Sequence, residues 1–169
     1  MTLECALCGI PIVPNSVRRN ITSAICDSCI LQVSGTSIYS ALLEAIDAPI
    51  LLMEGNPRQV ITANQKALTL FDKKSEEVEN HRGGQVFNCV HSFTEAGCGK
   101  DANCENCKIK NSIVDTFTSS TSHSSISTEL LIMKAADTRS YVLQISTEKL
   151  GDLALVRVER YIADAKPDS

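Results

Sequence analysis

The eight cysteines of this 169-residue chain constrain its fold more than any other feature, because they fall into two groups of four. The first group is Cys5, Cys8, Cys26 and Cys29, and the second group is Cys89, Cys98, Cys104 and Cys107. Residues 30–88, between the groups, contain no cysteine. In a reducing cytoplasm, such clusters indicate metal or redox chemistry rather than structural disulfides. We therefore expect two separate cysteine sites.

The first group consists of two CxxC motifs, Cys5 to Cys8 and Cys26 to Cys29. A CxxC turn presents two thiolates on one side of a tight loop, and two such turns complete a tetrahedron around Zn²⁺. A segment of this length buries too little apolar surface to fold alone. The bound metal would therefore supply the missing stability. Neither motif has the βαβ flanks of a thioredoxin-like dithiol, and no histidine lies nearby. We predict a closed structural zinc site in a zinc-ribbon-like module of residues 1–35.

Composition excludes several classes of function. Hydrophobic residues make up 43% of the chain and charged residues 21%, as in ordinary globular proteins. Aromatic residues are only 4% and the net charge is -4, so nothing suggests a nucleic-acid partner. Met1 to Ile10 lacks the pattern of a secretory signal, and no apolar stretch approaches the roughly 20 residues of a membrane span. We expect a soluble cytoplasmic protein without a membrane partner.

The apolar periodicity from residue 36 onward predicts an α+β domain. An amphipathic helix over residues 36–47 precedes a hairpin, a short helix capped by Asn64 and, after the second cysteine group, a longer helix. Three strand patterns follow, separated by short turns. The predicted strands are Pro49 to Glu54, Gln59 to Thr62, Ile126 to Lys134, Ser140 to Thr147 and Leu153 to Tyr161. This order predicts a five-stranded antiparallel sheet with helices on one face, followed by a tail of residues 163–169.

The same residues carry a resemblance to a known family. The order of elements, the segments Ala48 to Leu52 and Val60 to Asn64, and the closing strand Leu155 to Arg160 resemble the PAS domains of bacterial sensor kinases. The similarity covers residues 36–162, and the cysteine pattern of residues 89–107 looks like that of a cysteine-bearing PAS subgroup. The resemblance implies a sensor domain, a site over its sensing pocket, and dimerisation through the 36–47 helix.

The second cysteine group is expected to form one centre. If Asp101 or Asn103 caps the longer helix, Cys104 and Cys107 lie in its first turn, where the helix dipole favours thiolates. Cys98 lies between two glycines, and Cys89 arrives from the preceding loop. Zinc, an iron–sulfur cluster or a metal-free dithiol switch would each fit four cysteines. His91 could replace one cysteine, although four cysteines suffice without it.

These features favour a stand-alone PAS-type regulatory protein that senses redox state or metal through Cys89, Cys98, Cys104 and Cys107. We expect it to act by binding a protein partner, a signalling kinase or regulator, as a homodimer. No ATP site, phosphoacceptor helix or hydrolase elbow is present in the sequence, so an enzyme is not expected. The alternatives are an electron-transfer protein, a thiol oxidoreductase, and an adaptor with two purely structural zinc sites.

Overall fold

The computed structural model describes residues 4–5, 8–12 and 42–164. The chain divides into two compact units, Met1–Ala41 and Leu42–Ser169. Cys26, Cys29 and residues 36–41 of the predicted first helix lie outside the described residues. The zinc-ribbon-like module and the dimerisation helix therefore remain predictions.

The first CxxC motif lies on a tight turn. An antiparallel bridge joins Glu4 to Pro11, the Cys5 N–H donates to the Ile10 carbonyl at 2.9 Å, and the Gly9 N–H donates to the Cys5 carbonyl at 2.8 Å. Gly9 has φ 72°, a conformation that glycine adopts without steric cost. These backbone contacts place Cys5 at the start of a tight turn and leave the zinc site a prediction.

The second unit is built on one antiparallel sheet of five strands. In chain order, the strands are β1 (Ile50–Gly55), β2 (Arg58–Ala63), β3 (His123–Lys134), β4 (Asp137–Leu150) and β5 (Leu153–Ala163). Their order across the sheet is β2-β1-β5-β4-β3, so the N-terminal hairpin pairs with the last strand of the C-terminal meander. The predicted five-stranded antiparallel sheet is confirmed.

Three helices lie between β2 and β3. They are α1 (Gln65–Phe71), α2 (Gly83–Phe87) and α3 (Lys108–Ser119), and three short 3₁₀ turns connect them at Ser75–Glu77, Val90–Ser92 and Ala102–Cys104. Asn64 caps α1 as predicted, because its side chain accepts a hydrogen bond from the Ala67 N–H at 3.1 Å. Among the described residues, no helix is long and apolar enough to cross a membrane.

The interior strand β1 is apolar on both faces because both faces are covered. Leu51 and Met53 belong to the main core, in which α1, α2 and α3 pack on the inner face of the sheet. Ile50 and Leu52 point the other way and pack against Leu43. Leu42 and Leu43 both contribute to the apolar pattern of residues 36–47, but Leu43 is 5% exposed whereas Leu42 is 64% exposed.

The connection through α2 covers both edges of the sheet. Beside the outer edge of β2, Val60 exchanges backbone hydrogen bonds of 2.8 Å with Asn80 and His81. At the opposite edge, Cys89 forms an isolated bridge with Ile132 of β3, and the Met133 N–H donates to the Asn88 carbonyl at 2.9 Å. Pairing an edge strand in this way blocks its use as a template for aggregation. It also fixes Cys89 against β3.

Candidate functional site

The four cysteines of the second group line one cavity of about 40 Å³ between the sheet and the helices. They come from separate local structures. Cys89 precedes the Val90–Ser92 turn, Cys98 lies in a glycine loop, Cys104 ends the Ala102–Cys104 turn and Cys107 caps α3. The cavity exceeds the roughly 10–15 Å³ that one water molecule needs. The structure therefore brings together all four cysteines that the sequence singled out.

The start of α3 differs from the sequence-based expectation. Cys104 and Cys107 were expected in its first turn, capped by Asp101 or Asn103. Instead Asp101 caps the separate 3₁₀ turn by accepting from the Asn103 N–H at 2.9 Å. Cys107 is itself the N-cap of α3, and its Sγ accepts from the Lys110 N–H at 3.5 Å. Among the lysines near these cysteines in the sequence, Lys110 lines the cavity, whereas Lys100 and Lys108 are exposed.

Backbone N–H groups lie at three of the four sulfurs. Cys107 Sγ accepts from the Lys110 N–H at 3.5 Å. Burial raises the pKa values of Cys98 and Cys89, and the N–H groups of Gly84 and His91 act on these two thiols to lower them. Donors directed at sulfur favour the charged thiolate over the neutral thiol, and in metal–thiolate centres they tune the metal's properties. His91 thus contributes its main chain to the site, while its Nδ1 lies 3.6 Å from Asp101 Oδ1.

Cys98 reaches the cavity through an unusual backbone. Gly97 and Gly99, which flank it, have φ of 79° and 83°. A β-carbon at Gly84 would lie 2.6 Å from the Cys98 Sγ, and one at Gly99 would lie 2.5 Å from Arg58 Nη2. A side chain at Gly84 would displace the Cys98 sulfur, whereas Gly99 is constrained mainly by its positive φ, since the Arg58 guanidinium that it would meet is the end of a flexible side chain. Gly84 and Gly99 are therefore part of the site.

Two arginines, Arg58 and Arg82, supply positive charge to the cysteine site. The Arg58 guanidinium donates a hydrogen bond to the Cys98 sulfur, and Arg82 Nη1 donates to the Cys98 carbonyl at 3.2 Å. Burial lowers the pKa of Arg58, and the nearby Cys98 thiolate opposes that shift. The ion pairs found among the described residues do not include either arginine. A thiolate at Cys98 or Cys107 would therefore be a favourable neighbour for the charge of Arg58.

The sequence analysis did not predict that these two arginines belong to the site. Arg58 follows the turn of the N-terminal hairpin and lies 40 positions from Cys98, and no local motif links the two. The contact between Gly84 and Cys98 likewise depends on tertiary packing. Only the glycines that flank Cys98 were a visible signal.

Burial dominates the titration of two thiols. It raises the pKa of Cys89 to about 11, against an ordinary value of 9.0, and neighbouring thiols add to the effect. Burial likewise raises the pKa of Cys98, with partial opposition from the Gly84 N–H and Arg58. Without a cation in the cavity, both groups are therefore neutral thiols at physiological pH.

The loop between Cys89 and Cys104 is organised by Asp101. Its Oδ2 accepts from Thr94 Oγ1 at 2.9 Å, and its Oδ1 accepts from Asn103 Nδ2 at 2.8 Å as well as from the Asn103 N–H. These bonds, the backbone one first, hold the pKa of Asp101 below its ordinary range. Asp101 therefore remains ionised and ties the two ends of the loop together.

The donor set fits a metal centre in its chemistry, because four thiolates suit zinc and iron–sulfur clusters. Within the described part of the chain, no three His, Cys, Asp or Glu side chains are grouped so that they could hold a single metal ion. The four sulfurs line a shared cavity instead.

Comparison with known proteins supports the sensor-domain prediction in part. Residues 37–106 match the family model described as PAS domain. This segment contains β1, β2, α1 and α2 together with Cys89, Cys98 and Cys104. The PAS prediction is confirmed for this segment. No curated protein matches the chain.

Several solved structures are similar to the chain. The LOV protein of Rhodobacter sphaeroides is 12% identical, with 71% of this chain and 62% of that chain covered and a TM-score of 0.48. The PAS domain of nitrogen regulation protein NR(II) from Vibrio parahaemolyticus is 14% identical, with 74% and 99% covered and a TM-score of 0.44. The photoactive yellow protein domain of the sensor histidine kinase Ppr from Rhodospirillum centenum is 14% identical, with 75% and 97% covered and a TM-score of 0.42. The chain thus spans less than two thirds of the length of the LOV protein.

Proposed function

We propose that this chain is a PAS-type sensor in which Cys89, Cys98, Cys104 and Cys107 hold an iron–sulfur cluster. The observation that carries the proposal is the arrangement of four cysteines around one cavity, with backbone N–H groups directed at three of the sulfurs. Iron–sulfur clusters are bound by four cysteine thiolates, and hydrogen bonds to those sulfurs set the reduction potential.

The cavity favours a cluster over a single zinc ion. A tetrahedral zinc with Zn–S bonds of about 2.3 Å draws its four sulfurs to within roughly 4 Å of one another and leaves no space between them. The cysteines here surround a cavity of about 40 Å³. A cluster places several atoms between its thiolates, so it uses such a space. Zinc in both cysteine groups is the competing account.

Charge balance supports an anionic occupant. Four thiolates around a cluster or a zinc ion retain a net negative charge, and Arg58 and Arg82 lie beside Cys98. The guanidinium of Arg58 is half-buried, and a buried charge without an opposite charge is costly. A thiolate centre would provide that opposite charge.

The thiol pKa values argue against a dithiol enzyme. Redox-active cysteines are thiolates of lowered pKa in electropositive, accessible surroundings. Burial shifts Cys89 and Cys98 in the opposite direction. We therefore propose a sensor rather than a thiol oxidoreductase.

The residues of the chain have distinct roles in this proposal. The four cysteines bind the centre, Gly84 and Gly99 allow close approach, and Asp101 orders the loop that carries Cys98. When bound, the cluster would supply one-electron redox chemistry or sensitivity to oxidants. Because Cys89 is paired with Ile132 at the edge of β3, a change at the centre would reach the sheet directly.

We also propose how the signal leaves the protein. A protein partner, a kinase or regulator, would read the altered sheet surface, and Leu42 would belong to a homodimer contact through residues 36–47. Leu42 is 64% exposed beside the buried Leu43, which supports an apolar contact surface there. Cys5, Cys8, Cys26 and Cys29 would hold one structural zinc, with the tight turn at Cys5 as support.

Hydrogen exchange tests the sensor proposal. The full chain, purified without oxygen, would be compared after reduction with dithionite and after oxidation with ferricyanide. We expect the exchange rates of residues 88–92 and 130–134 to differ between the two states, with little change in α1. Identical exchange in both states across these segments would contradict a sensing role for the centre.

A further inference from the structure

A second, larger recess lies beside the cysteine cavity. This recess, called the outer groove here, has a volume of about 670 Å³ and is open to solvent. The turn after β1, the C-terminal half of α3 and the β4–β5 turn form its walls, with Asn56, Phe117 and Asp152 among the lining residues. Arg58 is the one residue that lines both the outer groove and the cysteine cavity.

The Arg58 side chain is held in that position from the cavity side. Its guanidinium donates to the Cys98 sulfur, and its Nη2 occupies space that a side chain at Gly99 would fill. Among the described residues, no carboxylate forms an ion pair with Arg58 that would draw it into the outer groove. Arg58 therefore lies between the cavity and the outer groove.

We propose that Arg58 is a gate that controls access from the outer groove to the four cysteines, and that its bond to Cys98 holds the gate closed. The inference rests on the proposed function in treating these cysteines as the sensing centre, and it adds the route by which small solutes reach them. Opening requires the guanidinium to leave Cys98 and turn into the groove. The buried cysteines, Cys89 and Cys104, become accessible from the groove in the same movement.

Metal extraction tests the gate in the loaded protein. The full chain, prepared without oxygen, is mixed with EDTA, and the release of metal from the second cysteine group is followed over time. We expect Arg58→Ala to accelerate release by about tenfold or more, the effect of losing one charge-assisted hydrogen bond. Arg58→Lys keeps the positive charge but lacks the planar guanidinium, so it should give an intermediate rate of metal release. Arg139→Ala, which removes the same atoms from an exposed site on β4, should release metal at the wild-type rate.

Thiol reagents of two different sizes distinguish loss of a gate at Arg58 from a general weakening of the cysteine site. Metal-free, reduced protein is treated with a small and with a bulky methanethiosulfonate, and the modification of Cys104 and Cys107 is followed by mass spectrometry. The ratio of the two rates cancels the thiolate fraction, which both reagents share. Wild type and Arg139→Ala should strongly prefer the small reagent, and Arg58→Ala should lose about tenfold of that preference.

The two measurements distinguish failure of the gate from failure of the proposed function. If Arg58→Ala keeps the wild-type size preference, Arg58 is not a gate, whatever the rate of metal release. If the purified wild-type protein holds no metal at the second group but Arg58→Ala loses the size preference, the metal centre is wrong and the gate stands. Arg82 contacts the Cys98 carbonyl but does not line the outer groove, so Arg82→Ala should keep the size preference.

Discussion

The Cys98 sulfur accepts a hydrogen bond from the backbone N–H of Gly84, and a β-carbon at position 84 would lie 2.6 Å from that sulfur. The first turn of α2 is thus in direct contact with the glycine loop that carries Cys98. The contact joins two segments that are far apart in sequence, and it depends on the absence of a side chain. Two helix residues, Gly83 and Gly84, consequently have different roles in the site.

Substitution of Gly84 should damage the centre more than substitution of Gly83. Gly84→Ala forces the Cys98 sulfur to move, and overpacking of this kind costs about 1–3 kcal/mol. We expect lower metal content at the second cysteine group and a lower midpoint of thermal unfolding. Gly83→Ala is the matched control, because its β-carbon would meet Phe87 at 3.4 Å, an ordinary contact. Equal metal content in the two variants would contradict this role for Gly84.

Replacing Cys104 by serine should separate the two cysteine groups. Cys104→Ser removes one thiolate but leaves Ile109 and Ile113 of α3 in the core. We expect loss of metal at the second group, faster hydrogen exchange over residues 89–110, and retention of one zinc by Cys5, Cys8, Cys26 and Cys29. Metal analysis of the intact variant checks this outcome. Loss of both metals together would show that the two groups are not independent sites.

The burial of Cys89 should change how its alkylation rate depends on pH. In the metal-free protein, its pKa is about 11 rather than 9.0, so its thiolate fraction keeps rising where an ordinary thiol has levelled off. The alkylation rate at Cys89 should therefore rise about tenfold per pH unit beyond pH 9. Folding raises this pKa, so the corresponding stability is present below pH 9 and is lost as the pH rises toward 11. A rate that levels off near pH 9 would contradict the shift.

A buried tyrosine, Tyr161, should stabilise the chain segment that precedes Cys89. The Tyr161 hydroxyl of β5 donates to the Phe87 carbonyl at 2.8 Å, two residues before Cys89. Tyr161→Phe keeps the ring contact with Phe71 but leaves that carbonyl without its donor, which costs about 1–3 kcal/mol. Urea unfolding of the metal-free protein measures the change. Tyr141→Phe is the matched control, and an equal effect in both variants would mean that the hydroxyl of Tyr161 is not special.

The fold could be predicted because its determinants are local. Apolar alternation located β3, β4 and β5, a short buried run and the turn at Gly55 to Arg58 indicated the N-terminal hairpin, and Asn64 caps α1 as its position indicated. Periodicity did not show that Leu42 is exposed and Leu43 buried, because it shows that a stripe exists but does not fix its rotation against the sheet.

The candidate site was predictable only in part. The cysteine spacing identified its thiols, but the roles of Cys104 and Cys107 were wrong in detail, because a 3₁₀ turn and α3 replace one continuous helix. Arg58, Arg82 and Gly84 join the site through tertiary packing. The contact between His123 Nε2 and Asp115 Oδ2, at 2.8 Å, was likewise not predicted.

The central claim is that the second cysteine group holds an iron–sulfur cluster, and chemical analysis of the full chain purified without oxygen tests it most directly. Iron, acid-labile sulfide and zinc would be measured together in wild type and in Cys104→Ser. We expect iron and sulfide in equal amounts beside one zinc per chain in wild type, and zinc alone in Cys104→Ser. Two zinc ions per chain without iron, or Cys89, Cys98, Cys104 and Cys107 as metal-free thiols under those conditions, would contradict the claim.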